Sequence, residues 1–331
     1  MSQDKKTHEQ RVQEQIKQYE KTENMHTQLS DIFSYWQAEY FRERFRDVCQ
    51  VNNHIEFYGR PIMDAIQKSG CKNVISFGCG DAQVESSVAA YMVKMGCDDF
   101  KFHCVELSPF QIARGEEFVA KEGLEKHFVF VEDDFNTWKS AGEKYAGAMC
   151  HHALHHVQEL EHLFSSIKEG LHSKGVFCTF DVVGRNGHKR WPEVLEIVKK
   201  IWAFLPEDKK YHHLLKVVQE EYVNWDCSTE GFEGIRSQDI LPQLLETFSF
   251  KTFFAFGNLI DPFTSRGFGA NYLPSEPRDI AFIDFIQYLN DLLIDLGHVK
   301  PTRMCAVMTP DQDGEVRCYK NWTPEFCLRK I

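Results

Sequence analysis

The two glycines separated by one residue, at the point where a short apolar run stops, are the most chemically suggestive feature of the chain. Val74-Ile75-Ser76-Phe77 runs into Gly78-Cys79-Gly80-Asp81-Ala82. Glycines at 78 and 80 let the backbone approach a ligand closely, and a helix opening there favours an anionic group at its N-terminus. Alone, such a turn is also an ordinary tight strand-to-helix connection. A second feature sits roughly twenty-five residues further on, where Phe102–Val105 ends in Glu106-Leu107 and an acid can take both hydroxyls of an adenosine ribose. A third apolar run, Phe128–Val131, ends in Glu132-Asp133-Asp134-Phe135. There one carboxylate, Asp133 or Asp134, can accept from an adenine amino group while Phe135 covers the base. Singly, acids at strand ends are as often solvated loop residues or caps.

The histidines form the next group. Cys150-His151-His152-Ala153-Leu154-His155-His156-Val157 follows a fourth, weaker strand, and His188 lies further on. His155, His156 and His188 are candidate general bases, because neutral imidazole accepts a proton near neutral pH. Ordinary packing of such residues is the competing reading. The i, i+4 spacing within the His-rich run suits a transition metal, but no carboxylate or cysteine other than Cys150 stands at a completing spacing, so no metal is expected. Arg185 and Arg236 can hold an anionic substrate group, and Tyr58 and Trp191 can close a pocket, although solvated arginines and core aromatics are common.

The elements that must position these residues follow from hydrophobic period. Residues 1–25 are rich in Gln, Glu and Lys and read as a fraying helix or disordered arm with little chemistry. Ile32, Phe33, Trp36, Tyr40, Phe41, Phe45 and Val48 mark a wide apolar helix face, and a short helix covers 61–69. Strand and helix then alternate: strand 73–77, a helix up to Gly96, strand 102–105, and a helix opened by Pro109 with Ser108 and Gln111 as a capping box. Strands 128–131 and 147–150, helix 160–171 and strand 175–183 follow. The 184–236 stretch carries helical patterns, including Trp191, Leu195, Val198, Trp202 and Leu205 on one face, but no convincing strand. A helix at 237–248, strand 250–256, helix 279–296 and strand 304–308 complete the rhythm. Alternation of this length implies a doubly wound, mostly parallel α/β sheet of seven strands with N-terminal helices and a helical cap insertion. We divide the chain into an N-terminal arm and helices (1–69) packing over the site, a core (70–183), a substrate cap (184–236) and the C-terminal part of the core (237–331).

Composition bounds the partners. The 331 residues are 43% hydrophobic, enough for a sizeable core, and carry a net charge of −11 that opposes binding to nucleic-acid backbones. The polar N-terminus lacks a secretory pattern and no apolar run approaches about eighteen residues. The eleven cysteines form no CxxC pair, so reduced thiols and a cytoplasmic location are expected, with no membrane partner.

In order and spacing, the turn at 78–82, the acid at 106, Asp134-Phe135 and the His-rich run after strand four resemble the class I methyltransferase family. The resemblance implies a Rossmann-like fold and S-adenosyl-L-methionine as cofactor, held by Gly78, Cys79, Gly80, Asp81, Glu106, Leu107, Asp133, Asp134, Phe135, Cys150 and His151. Two departures stand out: Ser76 replaces the usual acid, whose charge Asp81 can supply instead, and Ala82 replaces the third glycine. The runs 181–186, 191–192 and 233–237 are similar to bacterial methyltransferases, some associated with surface-sugar or secondary metabolism. The expected function is methyl transfer to an O or N atom of a small-molecule or sugar-related acceptor. A nicotinamide-dependent oxidoreductase shares the glycine turn and the following acid, but would need Gly at position 83, which is Gln83. A non-catalytic cofactor-binding protein of the same fold is the third reading. Oligomeric state is not encoded in these patterns.

Overall fold

A computed structural model describes residues 6–21, 29–229, 231–311 and 314–329. Helix α1 (His8–Lys21) begins at a capping box: the Gln10 N–H donates to Thr7 Oγ1 (3.3 Å) and the Thr7 N–H to Gln10 Oε1 (2.9 Å), satisfying two backbone donors reciprocally. Residues 31–49 form one continuous helical stretch, α2, containing π turns at Gln37–Phe41 and Phe45–Cys49. Their cause is visible in the buried face Ile32, Trp36, Phe41, Phe45 and Val48. The five-residue step from Trp36 to Phe41 would swing a regular α-helix off its face, and a wider π turn brings it back. Helix α3 (His54–Ser69) starts well before the expected position 61, because Asn53 caps it by accepting from the Glu56 N–H and Pro61 is tolerated inside it.

The α/β core then runs β1 (Asn73–Phe77), α4 (Gln83–Lys94), β2 (Lys101–Glu106), α5 (Pro109–Lys121), β3 (Phe128–Glu132), β4 (Tyr145–His151), α6 (Leu160–Gly170) and β5 (Leu171–Val182). The cap contributes α7 (Pro192–Phe204) and a hairpin of β6 (Tyr211–His212) and β7 (Val217–Val218), where the sequence pattern gave no strand. The chain returns through α8 (Ser237–Thr247), β8 (Ser249–Phe256), the short α9 (Asp261–Thr264), α10 (Pro277–Asp295), β9 (Arg303–Thr309), β10 (Arg317–Cys318) and α11 (Pro324–Cys327).

The main sheet has eight strands in the order β10-β8-β9-β5-β4-β1-β2-β3, one more than the seven expected. β9 is antiparallel to both β5 and β8, and the remaining pairs are parallel. The addition is β10, a two-residue edge strand too short to leave a periodic signal. The order reverses between β1 and β4, and a doubly wound sheet forms its ligand crevice outside the carboxyl ends of the strands at such a switch point. All eleven cysteines are unpaired. Among the described residues, no helix is long and apolar enough to cross a membrane.

Candidate active site

The turn after β1 is built for close backbone approach. Gly78 and Gly80 have φ of 66° and 55°, and a Cβ on Gly78 would stand 2.5 Å from the Ala153 Cβ. Ala82 also has positive φ, 54°, so the position where the family carries glycine keeps the left-handed conformation at the cost an alanine pays there. Glu106 clamps the turn: its Oε2 accepts from the Gly80 N–H (3.0 Å) and its Oε1 from the Ser108 N–H (2.9 Å). Burial pushes this carboxyl up, against the pull of those backbone donors. Each oxygen retains a lone pair for a diol.

A crevice opens between these groups. It is lined by Gly78, Gly80, Glu106, Leu107 and Phe135 from the expected cofactor set. Gln111 joins them rather than closing a capping box, since the Ser108 hydroxyl makes no cap bond. The expected participants Cys79, Asp81, Asp133, Asp134, Cys150 and His151 fall outside this lining. Cys79 and Cys150 are buried. Asp81 accepts from Gln83 Nε2, and Asp133 accepts from the Asp134 N–H. Asp134 spends Oδ1 on Asn136 and Oδ2 on His8 (2.6 Å), closing the wall instead of presenting a free acceptor. The acid missing at Ser76 is not replaced by Asp81 in the crevice. Ser76 instead donates to Glu85 Oε1 (2.7 Å), a buried carboxyl that desolvation raises to about 7.

The N-terminal helix corrects the expectation that little chemistry lies there. Gln15 and Tyr19 of α1 line the crevice, and α1 is tied across it by polar contacts. His8 reaches Asp134, Arg11 reaches the Gly231 and Ser228 carbonyls, Glu14 accepts from the Gly231 N–H, and Arg114 donates to the Tyr19 carbonyl.

Beside the crevice lies a histidine–carboxylate cluster. His155, on the turn after β4, donates from Nδ1 to Asp181 Oδ1 at 2.6 Å. Burial alone would depress this imidazole, but Asp181 outweighs it and the net shift is upward. The hydrogen bond to Asp181 holds a proton on Nδ1 and turns Nε2 toward Glu233. Glu233 supplies the carboxylate that the His-rich run lacks in sequence, with Oε1 2.7 Å from His188 Nε2 and 3.6 Å from His155 Nε2, and Oε2 3.5 Å from His156 Nε2. Burial opposes its charge, yet the three imidazoles hold Glu233 well below the usual carboxylate range.

His156 lines the crevice, but its bonding argues against the base role expected of it. The Phe232 N–H fixes the Gln15 amide by donating to Oε1, so Gln15 Nε2 donates to His156 Nδ1. In neutral His156 the proton then sits on Nε2, facing Glu233, and burial depresses the imidazole to about 4. The expected acceptor-site residues are dispersed. Tyr58 is fully buried and bonds the Cys150 carbonyl. Arg236 is paired with Glu161 and Asp239, while Arg185 donates to the Arg190 carbonyl and lies over Trp191. None of these four lines the crevice.

Residues 74–175 match the family model of the methyltransferase domain. That stretch is thus similar to a methyltransferase domain. No curated protein matches the chain. Among solved structures, it is similar to an S-adenosylmethionine-dependent methyltransferase from Clostridium acetobutylicum ATCC 824 (13% identity, 44% of this chain and 61% of that one, TM-score 0.32). It is also similar to a geranyl diphosphate C-methyltransferase from Streptomyces coelicolor A3(2) (11%, 76% and 79%, 0.41) and to the O-MT segment of StiE, residues 961–1257 (12%, 89% and 91%, 0.44). The chain thus spans less than two thirds of the clostridial protein.

Two expectations for the crevice follow. Glu106→Ala removes the acceptor of two backbone N–H groups and the ribose clamp, and is expected to weaken binding of S-adenosylhomocysteine by about 1.5–3 kcal/mol, measured by titration calorimetry. Deleting residues 1–21 removes Gln15, Tyr19 and the His8 contact while leaving the sheet intact. Affinity should fall about tenfold with circular dichroism otherwise that of a folded α/β protein, and unchanged affinity would show that α1 is no part of the wall.

Proposed function

We propose that this protein transfers a methyl group from S-adenosylmethionine to an O or N atom of a small-molecule or sugar-related acceptor. The observation that carries the reading is the adjacency of two groups. The crevice over Gly78, Gly80 and Glu106 is walled by His156, whose Nε2 faces Glu233 at 3.5 Å. The side that receives an adenosyl group therefore borders a polar cluster able to orient and deprotonate an acceptor. Methyl transfer is an in-line displacement. The acceptor lone pair forms the new bond to carbon, the S–C bond breaks with its pair passing to sulfur, and the acceptor's proton leaves to the cluster or to solvent. The chain's task is to align the two reactants and exclude water. His155, buried beside the crevice, is the residue whose Nε2 is turned toward Glu233 while its Nδ1 donates to Asp181. The 184–236 segment contributes His188 and Glu233 and is the part we assign to acceptor choice.

The test is calorimetry with S-adenosylhomocysteine, followed by incubation of the protein with methyl-labelled S-adenosylmethionine and a fractionated small-metabolite extract. Binding of the product and label transfer to a small molecule are expected. Preference for a dinucleotide, or tight binding with no transfer to any fraction, would overturn the assignment.

A further inference from the structure

The cluster beside the crevice is more than a set of hydrogen-bonded histidines. Three separate elements deliver it: the turn Leu154–His156, the turn Asn186–His188 and the loop before α8. Their backbones are pinned together, with the Gly187 N–H donating to the Gly234 carbonyl (2.8 Å) and the Ile235 N–H to the His155 carbonyl (3.2 Å). His188 is held at a φ of 54°, a conformation that costs a non-glycine residue energy and persists where the surroundings impose it. A Cβ on Gly234 would meet Gly187 N at 3.1 Å and His188 Cε1 at 3.2 Å, so the chain approaches His188 as closely as only glycine allows.

We propose that His155, His188 and Glu233 bind one divalent first-row transition ion beside the crevice, with zinc as the member to be tested. Their ligand atoms all lie within 4.8 Å of one another. At metal–ligand bonds of about 2.0–2.1 Å, neighbouring ligand atoms stand roughly 3.3 Å apart in a tetrahedral site, and the Glu233 oxygen already lies 2.7 and 3.6 Å from the two imidazole nitrogens. Asp181 supplies the outer support such a site needs, since by accepting from His155 Nδ1 it directs the Nε2 lone pair inward. His156 stands close but is excluded, because Gln15 donates to its Nδ1 and leaves Nε2 protonated. Two imidazoles and one carboxylate favour a borderline transition ion over magnesium or calcium, which take oxygen ligands. The Glu233 and Asp181 carboxylates together balance a dipositive ion. Three protein ligands leave coordination positions open. Arg266 and Arg303, whose charges reach Glu233 and His155 respectively, favour an anionic oxygen there. The acceptor class implied is a molecule that binds the ion through a hydroxyl or carboxylate oxygen, and this last step rests on the methyl-transfer reading, whereas ion binding does not.

The test uses the full chain after removal of adventitious metal with a chelator. Titration calorimetry and metal analysis after dialysis should give one equivalent of zinc, weaker manganese binding and no magnesium binding. Glu233→Gln and His188→Ala should each weaken zinc binding by about 100-fold, while His156→Ala retains it. S-adenosylhomocysteine affinity is measured on the same samples, so a failure of the crevice reading is seen separately from a failure of the metal site. Absence of zinc binding by the wild-type protein, or zinc binding equally tight in Glu233→Gln and His188→Ala, would overturn the proposal.

Discussion

Gly80→Val should abolish detectable binding of S-adenosylhomocysteine while leaving the protein folded, a loss of at least about 100-fold, or 2.7 kcal/mol. Gly80 lines the crevice, and a Cβ built there has only Gln111 Nε2 within 4 Å, at 3.8 Å. Gln111 also borders the crevice, so the added side chain enters the space a cofactor would use instead of colliding with the core. The conformational cost is separate. At a φ of 55° a β-branched residue is strained by about 1–3 kcal/mol, which lowers stability without unfolding a chain of this size. Gly78→Ala is the informative contrast. Its Cβ would stand 2.5 Å from that of Ala153, so it should lose stability and binding together. Calorimetric affinity measured beside a urea midpoint separates the two, and near-normal affinity in Gly80→Val would move the cofactor away from this turn.

How much of this was legible in the sequence depends on whether a feature is local. Strands β1 and β2 announce themselves because each is a short apolar run between helices of a different period, and the Gly78–Gly80 turn and Glu106 are read from that frame. Helix α1 does not. It has almost no apolar face, and what holds it is a set of long-range polar partners such as His8 with Asp134 and Gln15 with Phe232, which leave no periodic trace. The hairpin β6–β7 has two residues per strand, Val217 and Val218 being exposed, too little for alternation to register. Glu233 was visible only as one residue of a loop. Its place beside His155 and His188 arises only when three chain segments converge, which a spacing argument limited to ligands adjacent in sequence does not reach. Tyr58 shows the opposite error: an aromatic side chain that suits a pocket wall is instead buried in the core, its hydroxyl satisfied by the Cys150 carbonyl.

Asp181→Ala should be the most destabilising single substitution in this region, costing about 3–5 kcal/mol. Asp181 is fully buried at the end of β5. Its Oδ2 accepts from the Ala153 and Leu154 N–H groups at 2.9 and 2.7 Å, and its Oδ1 accepts from His155 Nδ1 and the Val182 N–H at 2.6 and 2.7 Å. Burial pushes this carboxyl up, but His155 and the backbone donors prevail and keep it below its ordinary value. Alanine leaves four donors without an acceptor, each worth about 1–3 kcal/mol if it remains dry, and water entering the gap recovers part of that. Urea denaturation measures the difference, and a loss under about 1 kcal/mol would mean that the loop after β4 does not depend on this carboxylate. Asp181→Asn separates stability from chemistry. Its single oxygen can still serve the Ala153 and Leu154 N–H groups, but its amide then points a donor at His155 Nδ1, forcing the imidazole proton onto Nε2. The expected signature is a reversed His155 tautomer in nitrogen NMR and loss of zinc binding in a protein that remains folded, because an imidazole with Nε2 protonated has no lone pair to offer toward Glu233.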